Sequence, residues 1–394
     1  MQLLSKFYLF SIVFILIAHF SVSAQSNDSL FESKDTAELK NVIIVSKNPI
    51  AEKFSVIKIE KLDIYFNPLS KGDPLNAIQI LPASTNTDET ANPVLRGGTA
   101  DRSRVYLNGS AVLNPVRNAQ NTGLGNFSLL NTEIINKEYV YASNPPLIYS
   151  NSSAGLVEIE TNKKLDYDNI QVSVALSNIG LMLNKRINKK IFFQAYGNRQ
   201  FSDLLKKVNN KQLSNLEHFS STDFGLNTRI NLNENLSLNT YNYFIIEKYA
   251  SQGYYLNYKG ITEAQQKRYF SINNIDYWKG RSKIRFSSMY DYSNKGYQFG
   301  LIDSRPIYYL LSASLSHKYA ASNSITLQYG VDFMNQKYTF KETLPVYHYA
   351  NNHNAPTYKN TEQLIFSYVE AYIYGDYKIN SDIGISAGVR QNLY

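Results

Sequence analysis

Two histidines five residues apart, His348 and His353, lie in the Tyr- and Asn-rich stretch Val346 to Asn354, with Tyr349 beside the first. Imidazole nitrogens next to a phenol ring suit contact with an iron-bearing ligand or a haem, and the same side chains suit a solvated surface loop. Nothing else in the chain is arranged for covalent chemistry. There is no zincin pair, no phosphate-binding Lys-Ser loop and no nucleophile elbow. The glycines after Arg96, Gly97 and Gly98, suit a backbone turn better than a phosphate cradle, because no helix follows them. With no cysteine in the sequence, thiolate metal sites, nucleophilic thiols and disulfides are excluded. Neither an enzyme nor a resident cofactor is expected. The net charge is +8 with a pI near 9.1, but the basic residues are scattered among Asn, Ser and Tyr, which argues against nucleic acid as partner.

The elements that must position these residues fall into two unlike parts. Residues 1–24 read as a secretory signal peptide, with Lys6 ahead of an apolar run and small residues before Gln25. Residues 25–40 are polar and suit a flexible periplasmic tether. Asn41, Val42, Ile43, Ile44 and Val45 form a short β-branched run suited either to adding to a partner's sheet edge or to serving as an edge strand of the next domain. Phe54 to Ile59 reads as a strand. Asp73 to Leu81 reads as a short helix, capped by Asp73, opened by Pro74 and stopped by Pro82. Asn108-Gly109 between two apolar triplets predicts a tight hairpin. Ser153 to Thr161 is an alternating strand led by Gly155.

In this order, the features resemble the plug of TonB-dependent outer-membrane receptors. The matching pieces are Asn41 to Val45 as TonB box, Leu81-Pro82, Arg96-Gly97, Asn108-Gly109 and Ala154 to Thr161. Asn108 stands where that family usually has Asp. The resemblance implies a plug over residues 46–165 and a partial outer-membrane β-barrel over 166–394. It implies a Gram-negative outer membrane as location, contact with lipid, and a small-molecule or metal-chelate ligand. It also implies TonB, energised through ExbB and ExbD, pulling on Asn41 to Val45, and Arg96 pairing with carboxylates on the barrel wall. Active uptake of a scarce nutrient such as a siderophore, haem or corrinoid would be the function. A non-transporting truncated receptor, or a surface binding or adhesion protein on the same scaffold, is the competing expectation.

After residue 165 the chain alternates apolar and polar residues in short Tyr-rich stretches, the pattern of strands with one face to lipid and one to a lumen. Soluble sandwiches alternate too. Ile325 to Phe333, Ile383 to Val389 and Phe224 to Leu232 show the pattern most cleanly. Short connections near Asn188 to Lys190, Asn233 to Asn235, Lys279-Gly280, Ala321 to Asn323 and Asn380-Ser381 alternate with longer ones near 202–221, 250–265, 294–307 and 341–361. The fold class expected is therefore mainly β, an α+β plug followed by antiparallel transmembrane barrel strands. Roughly eleven strands are expected here. Eleven would close to a backbone diameter of roughly 22 Å, too narrow for a plug roughly 35 Å across, whereas twenty-two give about 44 Å. A fragment, a frameshifted gene or a split gene would each give half a wall. On the expected register Glu370 faces inward, a candidate partner for Arg96. One consequence is directly measurable: the expressed chain should stay with the outer-membrane fraction and need detergent for extraction, and water solubility without detergent would contradict a lipid-facing wall.

Overall fold

The computed structural model describes residues 56–86, 90–117, 125–143, 145–150, 152–256, 258–380 and 383–393. The expected signal peptide and tether, and Asn41 to Val45, lie outside them. The first part is a small α+β unit. Strand β1 (Val56–Glu60) runs into helix α1 (Lys61–Phe66), and a helical turn α2 (Pro74–Ala77) continues as a 3-10 turn to Ile80. Then come β2 (Ser103–Leu107), β3 (Ser110–Ala111), β4 (Ile135–Tyr141) and β5 (Gly155–Thr161), giving a five-stranded sheet in the order β1-β4-β5-β2-β3. Only the β2/β5 pair is parallel.

Local chemistry explains these elements. The Asp73 carboxylate accepts from the amide of Asn76 at 3.1 Å, and Pro74 follows where a missing donor costs nothing, so the helical turn starts there. The Asn108-Gly109 turn has φ of +51° and +85°, both in the left-handed region that Asn and Gly tolerate, which is what a two-residue hairpin turn needs. One sheet face packs on the helices through Ile64, Leu75, Ile78, Val105, Leu107, Val140, Val157 and Ile159, all buried.

The second part is one antiparallel sheet. Its strands are β6 (Asn169–Ala175), β7 (Asn178–Arg186), β8 (Ile191–Phe201), β9 (Leu216–Asn231), β10 (Leu236–Tyr255), β11 (Tyr258–Lys279) and β12 (Ser282–Phe299). They continue as β13 (Ile302–Ser304), β14 (Ile307–Ala320), β15 (Ile325–Pro345), β16 (Thr357–Lys378) and β17 (Gly384–Asn392). A short helix α3 (Asp203–Val208) interrupts the connection between β8 and β9. Apart from the three-residue β13, every strand pairs with its sequence neighbours, and β6 and β17 form the two edges of the described sheet. Among the described residues the wall is thus eleven main strands, open rather than closed. It curves around the first unit, because polar contacts to that unit come from Gln194 on β8 through to Arg390 on β17.

The expected short connections form, but the long ones are shorter than the sequence suggested. β10 and β11 stay paired from Leu236–Tyr277 out to Tyr255–Tyr258, so the stretch 250–265 is a hairpin rather than a loop. β15 and β16 likewise pair to Pro345–Thr357. Polar side chains there signalled loops, yet backbone pairing continues beyond the apolar band because both faces meet water.

Outward positions of the wall are apolar where lipid would lie. On β14, Leu311 and Leu315 are exposed between Tyr309 and Tyr319, two tyrosine levels separated by a height of roughly 25 Å at the usual strand tilt. Tyr292 packs on Tyr309 with ring centroids 5.0 Å apart, which builds one aromatic girdle. Polar residues interrupt the pattern: Thr228, Thr240, Asn273 and Ser288 stand side by side in register across β9 to β12, Asn242 and Ser271 pair in the next row, and His317 is outward on β14 beside Tyr329.

Inside the small unit one side chain stands out. Glu138, flanked in register by Ile59 and Ile159, is fully buried, and neither carboxylate oxygen has a hydrogen-bond partner. Burial, reinforced by the charge of Asp73, pushes its pKa well above the usual carboxylate range. Burial raises the Asp73 pKa as well, but there the Ser128 amide and hydroxyl, both donating to the carboxylate at 2.7 Å, oppose the shift, and Glu138 has no such donors. Glu138 therefore carries the proton. Because its folded pKa is raised, its favourable contribution is full below the unfolded value and is lost as pH climbs through the folded one; each unit of difference costs about 1.4 kcal/mol above both. Glu138→Gln should stabilise the unit against urea near neutral pH by on the order of 1 kcal/mol or more and change little near pH 4; equal effects at both pH values would refute a buried neutral acid.

Candidate functional site

The chemistry of this chain concentrates where the small unit meets the inner face of the wall. Inward positions on β10 to β12 alternate with the outward ones, and several are charged at mid-strand. Arg268 on β11 is gripped by Asp291 on β12, Nε to Oδ1 at 3.0 Å and Nη2 to Oδ2 at 2.6 Å. Its remaining donors reach across the gap to two backbone carbonyls, Asn114 O and Leu113 O, each at 2.7 Å. Both partners of the ion pair are almost fully buried, at 3% and 0% side-chain exposure. Such a fork suits Arg: one edge binds a carboxylate bidentately while the other donates to carbonyls that have left regular pairing.

A second clamp of the same design sits on the other flank. Arg390 on β17 donates to Glu370 on β16, from Nε at 3.0 Å and Nη2 at 2.5 Å, and to Asp332 on β15. Its Nη1 donates to Leu147 O at 3.1 Å and Ile148 O at 3.3 Å. A third contact runs the opposite way, with Arg117 from the small unit paired to Asp223 on β9 at 2.9 Å. Neutral contacts fill in between. Asn274 on β11 donates to Asn108 O at 3.0 Å, and Asn162 donates to Gln194 on β8 at 3.2 Å.

The structure distributes the expected site residues unevenly. Asn108 is central: its Oδ1 accepts from the Thr161 amide at 2.9 Å, its Nδ2 donates to Thr161 Oγ1 at 3.0 Å, and its carbonyl receives Asn274. Gly109 follows directly above Arg285, which is itself bound bidentately by Asp276 at 2.6 and 3.0 Å. Arg96 and Gly97, at φ +51° and +71°, make an exposed turn. Gly98 lets that turn approach Ala154, whose Cβ would stand 2.3 Å from an added Cβ. Gly155 is required for close packing under Leu95, where an added Cβ would stand 2.5 Å from Cδ1.

The Arg96–Glu370 pairing is corrected: Glu370 does face inward, but its partner is Arg390, one strand away and already within the wall, while Arg96 lies in an exposed turn. His348, Tyr349 and His353 are all exposed in the β15–β16 loop. The His348 ring stands edge-on to Tyr349 at 5.4 Å. Among the described residues no group of three or more His, Cys, Asp or Glu is assembled to hold a metal. The buried residue of that loop is Asn351, which donates to Phe299 O at 3.1 Å and accepts from the Leu301 amide at 2.7 Å. Arg117, Arg268 and Arg390 were not singled out from sequence. For Arg268 and Arg390 the signal available is a charged residue in phase with the inward face of an alternating strand; Arg117 lies outside the strands and carries no such signal.

A globular α+β unit latched inside a concave wall of long antiparallel strands is also what comparison with solved structures finds. The chain superposes on the ferric enterobactin receptor PfeA of Pseudomonas aeruginosa with a TM-score of 0.61 at 12% identity, over 88% of this chain and 59% of that one. The fold is that of the TonB-dependent outer-membrane receptors. The ferric yersiniabactin uptake receptor FyuA of Yersinia pestis matches at TM-score 0.66 and 10% identity, over 85% and 56% of the two chains. The copper transporter OprC matches at 0.62 and 14%, over 86% and 54%. The chain therefore spans somewhat more than half the length of these structures. No family model and no curated protein matches the sequence.

Within this TonB-dependent receptor fold the small unit is the plug and the sheet is barrel wall, so Arg268 and Arg390 are wall groups that hold plug backbone. Removing one partner of a buried pair strands the other charge, at a cost of about 3–5 kcal/mol. Arg268→Ala, which strands the fully buried Asp291, should loosen the plug by about that much, whereas Arg390→Ala, at a partly hydrated site, should cost less. Amide exchange across Leu107 to Val116 reads out the first; unchanged protection there would show that the clamp does not hold the plug.

Proposed function

We propose that the chain serves TonB-coupled active uptake of a scarce nutrient, a siderophore, haem, corrinoid or similar ligand, across the outer membrane of a Gram-negative cell. One observation carries the reading: the plug is held to the wall by directional hydrogen bonds and ion pairs, including Arg268 to Leu113 and Asn114. Contacts of this kind hold firmly at rest but separate cleanly under a directed pull, since water can satisfy each group as it leaves. The solved structures named above are an enterobactin receptor, a yersiniabactin uptake receptor and a copper transporter, which supports uptake as the class of function. Cargo would meet the loop end first, where His348, Tyr349 and His353 are exposed. TonB, driven through ExbB and ExbD, would pull from the opposite side on Asn41 to Val45. No covalent step is required of any side chain.

The test expresses the chain in a Gram-negative host deleted for its own siderophore, haem and cobalamin receptors, with and without Val42 to Val45. Uptake of radiolabelled ferric siderophores, haem and cobalamin is then measured alongside surface expression. Uptake of one of them by the intact chain, lost on deletion while surface expression persists, is the expected outcome. Equal uptake by both versions would overturn energy coupling, and binding without uptake would favour a non-transporting surface receptor.

A further inference from the structure

The plug does not meet the wall evenly. On the β10–β11 side the gap is filled by Tyr241, Tyr243, Ile245, Phe270 and Ile272, all buried in one core with the plug. On the β12–β16 side there is a cavity of about 500 Å³ between the outer face of the plug sheet and the wall. The wall lining is uneven: on β12 and β14 its mid-strand residues are small, Ser287, Ser312, Ser314 and Ser316, whereas β16 contributes Tyr368 and Tyr372. Across from them the plug presents Tyr139, Glu158 and Glu160. A row of serines facing a tyrosine and two carboxylates does not close into a dry seam. Cavities lined by polar groups hold water rather than vacuum.

Reading inward residues along two neighbouring strands places the cavity's ends. From the short-turn end, β12 presents Lys283, Arg285, Ser287, then Met289, then Asp291; β14 presents Lys318, Ser316, Ser314, Ser312, then Leu310. The first three of β12 and the first four of β14 line the cavity. Met289 and Leu310 are 1% and 0% exposed and belong to the plug core. Asp291, the register partner of Leu310, holds Arg268 on the plug carbonyls. The cavity is therefore lined down to the charged residues next to the short turns and shut over two successive levels, first by Met289 opposite Ser312, then by Leu310 opposite Asp291 and the Arg268 clamp.

We propose that this cavity is a preformed, water-filled lower segment of the transport route, running along β12 and β14, and that the barrier to passage at rest is the Met289–Leu310 seam locked by Arg268. This rests on the uptake reading above. The plug then needs to yield only on this flank, staying anchored through its apolar contacts with β10 and β11. Mixed charges along the wall, Lys283, Arg285 and Lys318 with Asp332 and Asp376, suit a hydrated polar or zwitterionic solute and disfavour an apolar one.

The absence of native cysteine makes the proposal testable without background. Single substitutions Ser314→Cys, Ser237→Cys and Asn323→Cys are made in the full chain and purified in detergent. Each is reacted with a small cationic methanethiosulfonate. Ser314→Cys should react within about tenfold of the exposed turn control Asn323→Cys, and at least about a hundredfold faster than Ser237→Cys in the packed flank, because thiol reactivity follows access. Protection of Ser314→Cys equal to that of Ser237→Cys would overturn the water-filled segment. This labelling needs no transport, so it stands apart from the uptake assay. In that assay, Ser314→Trp with an unchanged unfolding midpoint should reduce uptake at least about tenfold by filling the gap; full uptake would place the route elsewhere, and no uptake by the unmutated chain would instead fail the transport reading.

Discussion

Everything in this molecule depends on the Arg–carboxylate fork that joins wall to plug. A plug loop that leaves regular pairing exposes carbonyls, and a wall that turns one face inward must place polar groups there. Arg268 satisfies both needs at once, bonded to Asp291 on one edge and to Leu113 and Asn114 on the other. Arg390 repeats the arrangement with Glu370 and Leu147. The carboxylate is held by the wall, so the aim of the guanidinium does not depend on the plug. The plug side of each clamp is backbone only, and breaking it leaves no unpaired charge behind.

The wall's inner face is divided by residue size. Large aromatic and aliphatic residues on β10 and β11 exclude water and make the plug's permanent seat. Serines on β12 and β14 leave a cavity of about 500 Å³. The same strands carry both solutions at different heights, since β12 passes from Lys283 through Ser287 to Met289 within a few alternate positions. Firm attachment on one flank and a hydrated gap on the other follow from that ordering. The buried acid Glu138, neither of whose carboxylate oxygens is hydrogen bonded, adds a different constraint, a plug core that accepts a polar group without satisfying it.

Much of this was legible in the residues. Asp73-Pro74, Asn108-Gly109 and Gly155 each carry a backbone requirement that only a few residue types meet, so their turns, cap and close approach could be placed from sequence. Strand alternation gave the outward set of β15, where Ile325, Leu327, Tyr329, Val331 and Phe333 are all exposed. Loop lengths are not legible from polarity, because polar stretches also pair as strands, and β10 and β11 remain hydrogen bonded to their tips. The Arg96–Glu370 pairing failed because an inward phase fixes which way a side chain points but not which of several strands supplies its partner.

The sequence by itself determined what is local or periodic: caps, left-handed turns, alternation, the strand count and the resemblance those features carry. Tertiary structure alone decided which charged residues meet, because Arg268 and Leu113 or Arg390 and Leu147 lie more than a hundred residues apart and are joined only by the curvature of the wall. It also decided where water remains. A serine reads the same in every strand, and only the distance between two facing surfaces makes Ser314 line a cavity while Ser237 is buried against Arg229.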